Sequence, residues 1–473
     1  MWPPDNIAAW TGPPPPSRSS TAALDSDRQH LRHSPGGDLD TAAFSTAVAS
    51  IMPLVTDALQ AAPNVDADSG MDLVRAQVTA WAQHQMRSGR TLSAATQARL
   101  ARAVYEELFG LGPLTRYVDD PAVENIDING ADRVWISYRD GRTEQGPAVA
   151  ASNDELIGKI QRWSAYKASN PREFSFSHPL MNAALGEHVR LSASMSVTPY
   201  PCVSVRVHRH VNVTLADLVK VGTVDPALEA FLRAAVRARK DIIVSGGTGA
   251  GKTTLLRALA AEIDPDERIA TLETDRELFL HTNGLHHNVI AFEARAANSE
   301  GVGEITLHQL IPQTLRHNPK RIIVGEVRAD EAWPMLAAMN SGHEGSLCTL
   351  HANSAEEVFP RLLILSRSGG LDLQASDLHM MVGMAVDFVV HLSRDAATNH
   401  RYISEVIEVL PPADAPVPGR NYIFRPGPDG RAVPTTVRPQ CEDDLVAAGF
   451  DPAAMRMPRR PLNGHRAGTG GVW

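Results

Sequence analysis

The stretch DIIVSGGTGAGKTTLLRAL, residues 241–259, decides the fold. Its first part, Asp241 to Ser245, is a short apolar run that reads as a buried strand. Its last part opens a helix with Leu255, Leu259 and Ile263 at four-residue spacing, so that one face packs on a sheet. Between them, Gly246, Gly247, Thr248, Gly249, Ala250, Gly251, Lys252 and Thr253, with Thr254 next, satisfy the pattern of a phosphate-cradling loop in the strand–loop–helix setting that the pattern requires. Glycines let backbone N–H groups approach phosphate oxygens, Lys252 brings a positive charge to the β and γ phosphates, and the Thr253 hydroxyl can ligate Mg²⁺. The setting weighs against a glycine-rich turn that holds nothing.

Downstream, apolar runs at Ile269–Glu273, Ile322–Glu326, Leu347–His351 and Phe388–Leu392 alternate with helical patterns. Residues 214–410 therefore read as an α/β domain, a parallel sheet wound by helices. Nucleotide hydrolysis needs a carboxylate that positions or deprotonates water, and Glu326 ends one such strand at its carboxyl end. An ordinary ion pair with Arg328 would place the same residue there. Glu273, Asp275 and Glu277 follow another strand and could hold Mg²⁺ through water, or could simply be solvated strand-end acids. His351 ends the strand from Leu347, where a neutral imidazole could sense the γ-phosphate, although a single histidine also suits a structural role.

Upstream, Val74, Val78 and Trp81, and then Leu100, Val104 and Leu108, fall at helical spacing. Ile126 and Ile128, Asn129-Gly130, and Val134, Ile136 and Tyr138 read as a hairpin. Leu191 to Val197 and Val203 to Val207 alternate as strands, so residues 71–213 read as a smaller α+β domain. The same alternation puts Arg190 in parity with Ser192 and Ser194, and Arg206 opposite the three valines, so both arginines point away from the core. By itself this suits solvated surface charges. Residues 1–70 are rich in Pro, Ser, Ala and Asp and read as a flexible tail in which Ile51–Leu59 could form a transient helix. Residues 411–473, opened by Pro411, Pro412, Pro416 and Pro418, read as a loosely ordered extension with a short helix near Leu445.

A length of 473 residues implies at least two folded cores. No run of about 18 apolar residues offers a membrane span, and Met1–Trp10 lacks the basic start of a secretory signal, so the chain reads as unexported and cytoplasmic. Cys202, Cys348 and Cys441 stand far apart, which argues against a disulfide framework or a zinc knot. The net charge of −9 weighs against a nucleic-acid partner.

Four boxes in order resemble a known family. Gly246 to Thr253, the acidic box Thr271 to Leu278, Arg321 to Arg328 and Gly345 to Ser354 look like the Walker A, Asp, Walker B and His boxes of type II/IV secretion ATPases, and the likeness runs through Gly110–Leu114 and Asn129-Gly130 to cover residues 100–410. The branch it resembles most is that of the CpaF-type motors of Tad/Flp pili. The resemblance implies a RecA-like P-loop motor domain behind an N-terminal domain, a homo-hexamer, and ATP with Mg²⁺ at the domain junction. It also implies Arg190 and Arg206 as γ-phosphate contacts, Glu326, Glu273 and His351 as catalytic groups, and Thr253, Glu273, Asp275 and Glu326 around the metal. The expected partner is an inner-membrane platform protein, through which the motor would touch the inner face of the membrane. Thr274 follows Glu273 where the family usually has Asp, which leaves open which carboxylate reaches the metal. The absence of a tetracysteine cluster favours the pilus or conjugation branches. Three further readings stand beside the pilus motor: a type IV secretion or conjugation ATPase, a nucleic-acid translocase on the same core, and a nucleotide-switched scaffold with little turnover.

Overall fold

The computed structural model describes residues 39–61, 67–167, 172–186, 189–208, 212–297, 301–395, 398–411 and 418–456. The chain divides into two compact units with the boundary between Arg102 and Ala103. The first unit is helical. Helix α1 (Thr41–Ala61) lies inside the segment expected to be a flexible tail, and the correction has a simple cause: Ala47, Ile51 and Val55, four residues apart, are all buried. The rest of that expected tail, up to residue 38, lies outside the described residues. Helix α2 (Ala67–Arg87) buries Val74 and Val78 as the spacing predicts, with Ala82 as the third buried residue where Trp81 is only half-buried. Helix α3 (Ala94–Phe109) carries the unit boundary and buries Leu100, Val104 and Leu108.

The second unit opens with the short α4 (Thr115–Asp119) and a six-stranded antiparallel sheet. Its strands are β1 (Val123–Asn129), β2 (Val134–Tyr138), β3 (Thr143–Gly146), β4 (Leu180–Leu185), β5 (Val189–Ser194) and β6 (Cys202–Val207), in the order β3-β2-β1-β6-β5-β4. The expected hairpin is β1–β2, with Ile126 opposite Ile136, Ile128 opposite Val134, and Gly130 at φ +81° in the turn. One face of this sheet is covered by α5 (Asn153–Lys167) through Leu156, Ile160 and Trp163. Arg190 and Arg206 stand directly opposite each other on β5 and β6, off the buried face.

A nine-stranded sheet follows. In chain order its elements are α6 (Leu215–Lys220), α7 (Pro226–Arg237), β7 (Ile242–Gly246), α8 (Lys252–Ala260), β8 (Ile269–Glu273), β9 (Val289–Glu293), α9 (Leu307–Leu315), β10 (Arg321–Val327), α10 (Ala332–Met339), β11 (Leu347–Leu350), α11 (Val358–Ser368), α12 (Ala375–Ala385) and β12 (Phe388–Arg394). Beyond them come β13 (Arg401–Val409), β14 (Arg420–Pro426), β15 (Ala432–Pro434) and α13 (Glu442–Ala447). The strand order is β15-β14-β13-β12-β7-β11-β10-β8-β9, parallel from β12 to β9 and antiparallel beyond β12. Alternate residues feed two cores. Ile242, Val244 and Val390 meet α6, α7 and α8 on one face, while Ile243, Cys348 and Val389 meet α9 to α12 on the other. This is a three-layer α/β arrangement with helices on both faces of the sheet, the RecA-like fold that the sequence leads one to expect. Among the described residues no helix is long and apolar enough to cross a membrane.

The expectation of a loose C-terminal extension is corrected here. Ile423, Phe424, Leu445 and Phe450 belong to the core that also holds Phe231 and Phe388, and Phe231 meets Phe388, Phe424 and Phe450 edge-to-face at 5.2, 5.4 and 5.7 Å. Local sequence there is interrupted by prolines, and only the distant aromatic partners make its apolar residues a core.

At the amino ends of the parallel strands, Asp241 Oδ1 accepts from Ser346 N at 2.8 Å, while Asp387 Oδ2 accepts from Asp241 N at 2.8 Å. Burial, and then the neighbouring Asp387 carboxylate, push Asp241 up to about 8. Between its ordinary range and about 8 the folded chain therefore holds a proton that the unfolded chain has lost, so this group's contribution to stability falls as pH rises through that window. The melting temperature should drop between about pH 6 and about pH 8.5, and Asp241→Asn, which keeps an acceptor but cannot ionise, should lessen that drop in thermal denaturation curves.

Candidate functional site

The loop between β7 and α8 is held from several sides. Gly246 closes β7 against β12, where an added Cβ would lie 2.7 Å from the Leu392 carbonyl oxygen. Gly249 and Gly251 take φ of +71° and +96°, a region that side chains with a Cβ rarely enter, and Gly251 caps α8. Lys252 is buried, its Nζ 3.2 Å from the carbonyls of Gly246 and Gly247, and burial pushes its ammonium below the usual lysine range.

Beside this loop is a cavity of about 290 Å³. Thr248, Gly249, Gly251, Lys252, Thr253, Thr254, Glu326, His351 and Arg206 all line it, which brings together most of the residues that sequence singles out. Gly246, Gly247 and Ala250 do not line it, and the first two serve through the carbonyls that hold Lys252. His351 Nδ1 and Nε2 lie 3.2 Å from Lys252 Nζ, and Nε2 lies 2.7 Å from Glu326 Oε1. Burial, and then the Lys252 ammonium, push the His351 imidazole down, so it is neutral at physiological pH. Glu326 Oε2 accepts from Arg328 Nε at 2.6 Å, so the ion pair anticipated from sequence exists. The other oxygen, Oε1, is buried against His351 Nε2.

The acidic segment after β8 sorts its carboxylates. Glu273 is buried, and its Oε1 accepts the N–H groups of Glu277 and Leu278 at 2.8 and 2.9 Å; burial raises it to about 7 against those bonds. It also explains Gly325, where a Cβ would sit 2.8 Å from Glu273 Cγ. Glu273 thus fixes the segment, while Glu277 Oε2 is the carboxylate that meets the Thr253 hydroxyl, at 3.3 Å. Thr253, Glu273, Asp275, Glu277 and Glu326 share a second, smaller cavity of about 40 Å³. Among the described residues no group of three or more His, Cys, Asp or Glu side chains is set to hold a metal ion by itself.

The two arginines of the antiparallel sheet part company. Arg206 lines the larger cavity, whereas Arg190 donates to the Arg276 carbonyl and lies 3.9 Å from Glu293 Oε1, so it braces the acidic segment and does not line the cavity. Of the two arginines expected to meet phosphate, Arg206 alone lines this cavity. Arg139, Arg257 and Arg401 line the cavity and carry no signal in the sequence, since each reaches it only through folding. The balance of charge is one-sided, with Arg139, Arg206, Lys252, Arg257, Arg328 and Arg401 against Glu124, Glu277 and Glu326. Buried His208 reports the same field: burial, and then Arg206, Arg190, Arg257 and Arg139, push it down to about 3. A polyanion fits this cavity.

A model of the family described as type II/IV secretion system protein matches residues 176–407, from just before β4 to β13. A Mycobacterium tuberculosis protein named for conjugal transfer is 37% identical over 308 residues, covering 63% of this chain and 85% of that protein. The type IV secretion system protein VirB11 of Brucella suis is 31% identical over 333 residues, covering 63% and 89%. The chain belongs to the type II/IV secretion system ATPase family. Among solved structures it is similar to the VirB11 ATPase of the Brucella suis type IV secretion system in complex with sulphate, at 27% identity and a TM-score of 0.34 over 66% of this chain and 96% of that one. It is also similar to the pilus retraction motor PilT with bound ADP, at 18% identity and a TM-score of 0.48 over 64% and 83%.

For this secretion ATPase the two arginines make separable predictions. Arg206→Ala, which removes a cation from the cavity, should weaken nucleotide affinity about tenfold. Arg190→Ala should leave that affinity within about twofold. Titration of both variants with a fluorescent ATP analogue reads the difference, and equal losses would return Arg190 to the site.

Proposed function

We propose that this ATPase hydrolyses ATP in the cavity beside Lys252, as the hexameric motor of a pilus-assembly or secretion machine in the cell envelope. The observation that carries the reading is convergence: Lys252, Thr253, Glu326 and His351 from the parallel sheet and Arg206 from the antiparallel sheet line one cation-rich cavity. Bound ATP with Mg²⁺ supplies the phosphoryl group and a metal charge against which it is transferred. Lys252 holds negative charge on the β and γ oxygens. Thr253, with Glu277 or Glu326, holds the metal side. Glu326 orients the attacking water and accepts its proton, and neutral His351 serves as a hydrogen-bonding group beside it.

Arg139, just past β2, and Arg206 of β6 come from the antiparallel-sheet part, while Lys252 and Arg257 of α8 and Arg401 of β13 come from the part built on the nine-stranded sheet, so like charges from both parts line the cavity. A polyanion there draws the two sheets together and its loss loosens them, which is the step that converts hydrolysis into movement. The likeness to CpaF-type motors points to Tad/Flp pilus assembly, with force passed to an inner-membrane platform protein at the cytoplasmic face. The relatives named for conjugal transfer and type IV secretion favour a second reading, a motor of that branch. Deleting the gene separates them, since loss of surface pili supports the first reading and loss of DNA or effector transfer with pili intact supports the second.

The direct test is steady-state ATP hydrolysis with Mg²⁺ at increasing protein concentration, for the wild type and Glu326→Gln. Wild-type specific activity should rise with concentration as rings assemble, while Glu326→Gln should bind ATP and lose at least about a hundredfold in turnover. Binding without hydrolysis in both proteins would favour the nucleotide-switched scaffold.

A further inference from the structure

The hairpin β12–β13 lies beyond the part of the sheet that carries the phosphate loop, yet it reaches back over that loop. Arg401, the first residue of β13, donates from Nε to the Gly249 carbonyl at 2.9 Å. Its Cδ lies 3.3 Å from where a Cβ on Gly251 would stand. Across the hairpin Arg394 pairs in register with Arg401, and its Nη1 lies 3.1 Å from the Cβ position of Gly249. Two cations on neighbouring strands thus bracket one glycine of the loop. Arg394 is exposed and gives its Nε to Asn399 Oδ1, whereas Arg401 is half-buried and gives its Nε to the loop.

In a trans peptide the C=O and N–H groups point in opposite directions. A Gly249 carbonyl held by Arg401 therefore turns the N–H of Ala250 the other way, back into the loop, where the Gly247 carbonyl accepts it at 3.3 Å. Released, the flexible Gly249–Ala250 unit could rotate and present its carbonyl oxygen to the phosphates, which repels them. Arg401 also lines the phosphate-side cavity, where Glu124 of β1 counters its charge.

We propose that Arg401 is a positioning residue of the phosphate loop, one that fixes the orientation of the Gly249–Ala250 peptide, with its carbonyl on Arg401 and its N–H on the Gly247 carbonyl, from outside the loop's own sequence. The inference rests on the reading of this cavity as the nucleotide site. It makes the hairpin β12–β13 part of the nucleotide machinery and assigns Arg401 to ground-state binding.

The test uses the full chain and N-methylanthraniloyl-ATP as the fluorescent probe. Arg401→Ala should raise the Kd at least about tenfold, the usual scale for a hydrogen bond from a charged donor. KM for ATP should rise in parallel while kcat changes less than about threefold, the mark of lost uniform binding. The nucleotide-free melting temperature should stay at the wild-type value, which a general packing defect would not allow. Arg401→Lys keeps a cation but loses the Nε donor and should fall between the two. A wild-type Kd in Arg401→Ala overturns the assignment, as does a wild-type Kd in Arg401→Lys should the alanine variant not fold. If the wild type itself binds no probe, the nucleotide reading of the cavity fails first, a result distinct from either of these.

Discussion

A loop that binds phosphate through its backbone amides faces a constraint that shapes everything around it, because its carbonyls must be turned away and held by something else. Here the surroundings supply those holders. Lys252 takes the Gly246 and Gly247 carbonyls, Arg401 takes that of Gly249, and the Leu392 backbone closes so tightly on Gly246 that no side chain fits. The strand order follows from the same requirement. β7 lies between β11 and β12, so His351, just past the end of β11, flanks the loop on one side and the β12–β13 hairpin flanks it on the other. Glu326, one strand further on, completes the group through the bulge in the β10–β11 register after Val324.

The opposite end of the sheet makes that arrangement rigid. Arg321 is fully buried at the start of β10, paired through Nε and Nη2 with both oxygens of Glu267, with Nη1 bound to the carbonyls of Val236 and Gly345. A buried guanidinium that makes four hydrogen bonds ties α7, the turn before β8, β10 and the approach to β11 into one block. Gly345, at φ +85°, sits where a Cβ would come within 2.5 Å of Arg321 Nη1, so a residue that looks like the opening of the His box is glycine for reasons at the opposite end of β11 from His351. Charge at one end and amides at the other share the same strands, and a shift in either moves both.

Period and spacing carried much of this. The strands Ile269–Glu273 and Phe388–Leu392 stand where alternation and apolar runs put them, and Leu255, Leu259 and Ile263 bury the face that their spacing assigns. The local setting of Lys252 and Thr253 was equally legible, because the loop motif is contiguous. What the sequence concealed depends on distance along the chain. Phe424 and Leu445 read as parts of a loose extension until Phe231 and Phe388 are beside them. Arg190 and Arg206 share one alternation and point off the same face, but a single strand position separates a guanidinium that lines the cavity from one that meets the Arg276 carbonyl. Glu273 and Glu277 look interchangeable as acids after a strand, and only burial and two N–H bonds divide their work.

Charge shows the same divide between the whole and the site. A net charge of −9 describes a molecule that repels polyanions at long range, and screening confines that repulsion to about 8–10 Å at physiological salt. Inside the cavity the local excess of cations governs instead, since its partly desolvated walls raise the effective strength of each charge well above its value in water. A compact polyanion can bring all of its charge within the cavity of about 290 Å³, where it meets Lys252 and the arginines together, so the sign of the net charge does not decide what that cavity accepts.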